Sequence, residues 1–205
     1  MILGAFPIVI VVASTGCGTS GGGEAGPTVS GGTPTTSVAA PARPTLTAPH
    51  LQPPVQDNKY VRSSSRPKVV VDPCTWVPDS AIQEAGFDPV SRGRGNDMLA
   101  EYSFLVCKFK KDSDGSLTLE SGNVALDEVR QKYQSDIEEL TINGRPAVKS
   151  RKDDPAGCSV DLQTNVGYFG ITVRTHTAGL VKGMKPCDHI VHIATILEPS
   201  IGKEN

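Results

Sequence analysis

The chain has 205 residues, a formal net charge of -2 and a sequence pI near 6.1. With no bulk basic character, it offers nothing to hold nucleic acid or an anionic membrane surface by charge. Five cysteines and a Gly- and Pro-dense N-terminal third set the questions that follow.

Ile2 to Ala13 is apolar apart from Gly4 and Pro7. That length suits the core of a signal peptide and falls short of the ~20 residues a membrane-spanning helix needs. Ser14-Thr15-Gly16 then leads into Cys17. Small residues ahead of a thiol are what a lipoprotein signal requires: an extended stretch for the peptidase and a nucleophile to accept diacylglycerol. Residues 1–16 are expected to be the signal and Cys17 the lipid attachment site. No Lys or Arg precedes Cys17, which fits a true translation start further upstream. The competing reading is an ordinary cleaved signal with a chance cysteine.

Residues 17–68 have almost no large apolar side chains, so they cannot bury enough surface to offset their ordering entropy. They are expected to form a disordered tether, flexible where Gly and Ser dominate and more extended between Pro34 and Pro54. From about Val69 the composition becomes that of one globular unit, 69–205, large enough for a single core.

Without Cys17 an even set remains: Cys74, Cys107, Cys158 and Cys187. In an exported chain these predict disulfides. Three connectivities are open; Cys74 with Cys107 and Cys158 with Cys187 are favoured, each joining a helix start to a nearby strand. No C-x-x-C spacing suggests zinc.

The elements read as an α+β domain: a mostly antiparallel sheet with helices packed on it. Asp79 to Ala85 is expected to be a short helix ended by Gly86. Tyr102 to Phe109 and Ser116 to Ser121 read as strands. Leu126, Val129, Tyr133, Ile137 and Leu140 recur at helical spacing. Leu140-Thr141-Ile142, Asn143-Gly144 and Ala147-Val148 read as a hairpin, because Asn-Gly adopts positive φ readily. A second hairpin is expected from Cys158, Val160 and Leu162 to Phe169, Ile171 and Val173, turning at Asn165-Val166-Gly167. Pro186, Cys187 and Asp188 are expected to open a final helix with Ile190, Val191, Ala194 and Leu197 on one stripe.

Taken in order, Asp72-Pro73-Cys74, a strand cysteine followed by Phe109, Ile142-Asn143-Gly144-Arg145-Pro146-Ala147-Val148, Gly157 to Leu162 (GCSVDL) and Pro186-Cys187 resemble the Lpr-type surface lipoproteins of actinobacteria, which share a domain of unknown function. The resemblance spans Asp72 to Pro199 and the lipidation signal. It implies an envelope lipoprotein with two disulfides, and it brings no catalytic residues.

Candidate chemistry is sparse. Gly18-Thr19-Ser20-Gly21-Gly22 has the letters of a serine elbow but lies in the tether, without the strand and helix such an elbow needs. His189 and His192 could share a helix face, but further metal ligands cannot be named. His176 near a strand end lacks an identifiable nucleophile. Trp76 beside Cys74 is expected to pack on a disulfide. No catalytic residue, metal or cofactor is assigned. The expected function is a non-catalytic module on the extracytoplasmic face, monomeric and lipid-anchored, binding a lipid, a cell-wall fragment or a protein. A hydrolase with dispersed residues, or a structural or host-facing role, is the alternative.

Overall fold

Among the described residues eight strands, all paired antiparallel, order as β1-β3-β4-β8-β7-β6-β5, with β2 beside β3. They are β1 (Asp88–Arg94), β2 (Met98–Leu99), β3 (Ser103–Lys111), β4 (Gly115–Gly122), β5 (Glu138–Ile142), β6 (Arg145–Ser150), β7 (Gly157–Thr164) and β8 (Gly167–Thr175). Helices α1 (Lys59–Arg62), α2 (Pro73–Trp76), α3 (Asp79–Glu84), α4 (Leu126–Lys132), α5 (Thr177–Val181) and α6 (Ile190–Leu197) flank them. This computed structural model describes residues 46–205. The signal, Cys17 and the Ser20 motif lie outside the described residues.

Period-2 alternation sends Cys107, Phe109, Leu117, Leu119, Phe169 and Ile171 to one face, where α2, α3 and α6 close over them as the main core. Cys74 is bonded to Cys107 and Cys158 to Cys187, fixing α2 to β3 and β7 to the turn ahead of α6. Their sequence separations of 33 and 29 correspond to about 3 to 4 kcal/mol each in the chain-entropy picture. Trp76 packs at the margin of the same core. The opposite face carries a smaller cluster of Leu126, Val129, Val148 and Tyr168, with α4 laid across it.

Both expected hairpins form. Asn143 and Gly144 take φ of 51° and 88°, and Leu140 pairs with Ala147. Gly86 ends α3 at φ 84°.

Three expectations need correction. The helix from Leu126 stops at Lys132, and Leu140 belongs to β5: the Asn143-Gly144 turn sets a register that places Leu140 against Ala147, and strand pairing overrides the helical spacing. The last helix begins at Ile190, because His189 adopts a left-handed backbone (φ 62°). Pro186 and Asp188 therefore sit in a separate turn, and Val191 is off the buried stripe at 40% exposure. Finally, residues 46–68, assigned to the tether, lie on the domain. Leu51 joins the main core, Val61 is buried, and the Gln56 amide pairs with both backbone groups of Val69 at 2.8 and 3.0 Å. Composition hides this, since two apolar anchors and a set of polar contacts hold the segment. Strand β1, with Pro89 and Gly93, and helix α5 carry no periodic signal and were not expected.

Candidate functional site

On the face of the sheet away from the main core, α4 covers only one end. Beside it lies an open cavity of about 770 Å³, within the 300–1,000 Å³ typical of small-molecule sites. Its walls mix apolar and aromatic side chains, Met98 and Tyr102 ahead of β3, Phe104 on β3, Val124 and Val129 around α4 and Tyr133 at its end, with the polar Glu128, Gln131 and Lys132 of α4. Its floor is polar, with Thr118 and Glu120 from β4, Tyr168 and Thr172 from β8, and Lys152.

The floor follows from register. Glu120 and Asp161 both pair with Gly170, from opposite sides, so the three share one cross-strand row on one face. Gly170 leaves the row open; a Cβ there would fall 2.7 Å from Asp161 Oδ1 and 3.1 Å from Tyr168 Cε2. Lys152 reaches into the opening, donating to Asp161 Oδ1 at 2.8 Å with its Nζ 5.1 Å from the centre of the Tyr168 ring. Tyr168 donates its hydroxyl to Glu120 in a short hydrogen bond. The second Asp161 oxygen is buried without a partner.

Burial pushes the Asp161 carboxyl above its ordinary value, with Glu120 adding to the rise and Lys152 opposing it. For Lys152 burial acts against the charge, but Asp161 outweighs it and the ammonium stays protonated. Burial and the neighbouring carboxylates raise the Tyr168 phenol far above its usual range, so it acts as a donor and not as a base. Lys152 and Asp153 have φ of 49° and 62°. Successive non-glycine residues in the left-handed region carry a conformational cost, and such strain concentrates at functional sites.

At the rim, Arg66 makes a two-pronged contact with Glu128 at 2.7 and 2.8 Å and stacks 4.2 Å over Tyr102. The hydrogen bond from Arg66 holds the Glu128 carboxyl below its ordinary value.

None of these residues stands out as a site in the sequence. The one usable signal is Asp161, a carboxylate inside the otherwise apolar and small run Cys158 to Leu162. The residues that sequence did single out lie elsewhere. His189 and His192 line a second cavity of about 350 Å³ between α3 and α6; among the described residues no three metal-ligating side chains converge. His176 does have a hydroxyl beside it, contrary to expectation: Ser116 Oγ lies 3.2 Å from its Nε2, brought there by the turn from β8 into α5. Both are solvent-accessible, and among the described residues the ring has no carboxylate partner.

A family described as proteins of unknown function, DUF3558, matches residues 12–200. The chain belongs to the DUF3558 family. No curated protein and no solved structure matches it. Within this DUF3558 chain, no helix of the described residues is long and apolar enough to cross a membrane.

Proposed function

We propose that this DUF3558 protein is a lipid-anchored, extracytoplasmic binding module of the Lpr type, tethered through Cys17 and holding a small amphipathic ligand in the cavity over its sheet. The cavity carries the reading: apolar walls above a floor of converging polar groups is the usual construction of a small-molecule site. The two disulfides support export to an oxidising compartment, and the family match takes in Cys17. The floor's ionisable groups are engaged with one another, Lys152 with Asp161 and Tyr168 with Glu120, which favours recognition over catalysis.

The test has two parts. Mass spectrometry of the protein isolated from its native membrane should find a diacylglyceryl adduct on Cys17; an unmodified thiol there sinks the anchor. Thermal unfolding of the same protein with envelope extracts should shift upward by mass action; no shift with lipid, glycan or protein fractions sinks the binding role.

The hydrolase alternative rests on the Ser116–His176 contact. Labelling of Ser116 by a fluorophosphonate would support it.

A further inference from the structure

The cavity does more than offer space: its charges are arranged against one another. Arg66 is engaged two-pronged by Glu128, Lys152 by Asp161, and Glu120 takes the Tyr168 hydroxyl. Resting on the binding reading above, we infer that the ligand is an uncharged amphiphile whose hydroxyl-bearing head sits on the Glu120–Lys152 floor and whose apolar portion lies against Met98, Phe104, Val124 and Val129.

A charged head of either sign meets an opposing group. An anionic head approaching Lys152 comes up against Glu120, in the same row as Asp161, and finds Arg66 already satisfied; the remaining lining cation, Lys132, lies exposed over Tyr133, one helical turn from Glu128 and away from the floor. A cationic head approaching Glu120 comes up against the Lys152 ammonium. Three of the four aromatic rings that line the cavity already carry a cation, Tyr102 with Arg66 at 4.2 Å, Tyr133 with Lys132 at 5.1 Å and Tyr168 with Lys152 at 5.1 Å, and the fourth, Phe104, is tilted against Tyr168 at 6.4 Å.

A hydroxyl suits the floor. An ammonium has three donors and no acceptor; Lys152 directs one to Asp161. A carboxylate only accepts, and Glu120 takes Tyr168 on Oε1. A donor and an acceptor thus remain within one floor, and a hydroxyl group both accepts and donates. Thr118 and Thr172 extend the same neutral chemistry along the next cross-strand row. Lys152 takes a left-handed backbone, and the absent Cβ at Gly170 leaves room for the Asp161 carboxylate that holds its ammonium.

The experiment is isothermal titration of the full-length protein with four probes below their micellar concentrations: n-octyl glucoside, octanoate, octyltrimethylammonium and glucose. Octyl glucoside is expected to bind at least tenfold more tightly than either charged chain, and glucose alone not measurably. Glu120→Gln, which keeps the shape and the acceptor for Tyr168, should weaken octyl glucoside binding tenfold or more. Lys152→Met should do the same, with the double variant Lys152→Met/Asp161→Leu standing in if the single one does not fold. Equal or tighter binding of a charged probe overturns the neutral head while leaving the cavity a binding site. Glucose binding as tightly as its octyl derivative overturns the apolar half. Binding of octyl glucoside unaffected by Glu120→Gln moves the ligand off this floor, and no binding by any probe overturns both this inference and the binding reading.

Discussion

Gly170 and Asp161 face each other across β7 and β8, and the carboxylate occupies the space a side chain at 170 would fill. Gly170→Ala would place a methyl 2.7 Å from Asp161 Oδ1 and 3.1 Å from the Tyr168 ring. Asp161 is fully buried and held by Lys152, so it cannot swing away at little cost. The expected loss is about 1 to 3 kcal/mol, read as a lower urea midpoint at unchanged slope. An unchanged midpoint would mean that the row is looser than described.

The buried carboxyl also sets a pH dependence. Asp161 has a folded pKa above its unfolded value, so its contribution to stability is fully present below the ordinary Asp value of about 4 and declines as pH rises through the folded value. Glu128 and Glu139 act in the opposite sense: their arginine partners lower them, so their contribution is present at neutral pH and lost on acidification, weakened by solvent exposure. The native chain should therefore lose stability relative to Asp161→Asn on going from pH 4 toward neutrality. Parallel curves across that range would remove Asp161 as the source.

Each disulfide should be separately measurable. Cys74→Ala/Cys107→Ala and Cys158→Ala/Cys187→Ala are each expected to lose about 3 to 4 kcal/mol in chemical denaturation. A thiol assay of the native domain should find these four sulfurs unreactive; four free thiols would contradict the bonded pairs.

Arg66 fastens the segment ahead of the first core strands to α4. Arg66→Ala removes the contacts to Glu128 and Tyr102, both partly exposed, so the global cost should stay below about 1 kcal/mol. The local effect should be larger: faster amide exchange at Tyr60 and Val61, whose protection depends on the Asn58 cap, with β3 and β4 unaffected. Equal exchange in both proteins would show that Leu51, Val61 and Gln56 suffice.

What the sequence revealed was local. Asn143-Gly144 announces its hairpin because two consecutive positive φ values suit those two residues. The cysteine pairs were legible because each joins residues close in the chain, 33 and 29 positions apart. Leu140 fits both the helical spacing and the hairpin, and the turn beyond it decides for the strand. The cavity could not be read at all: Glu120, Lys152, Asp161 and Gly170 come from different strands and a turn, and only pairing β4, β8 and β7 in register assembles them. Residues 46–68 were misjudged because bulk polarity does not register a glutamine that mimics a strand partner, as Gln56 does at Val69.

Cys107 and Cys158 both point to the face that α2, α3 and α6 cover. Among the described residues both disulfides thus brace the back of the sheet, whereas the front is kept in shape by noncovalent forces. A reductant would therefore act on the covered side of the sheet, and the open cavity beside α4 keeps its walls without relying on any sulfur bond.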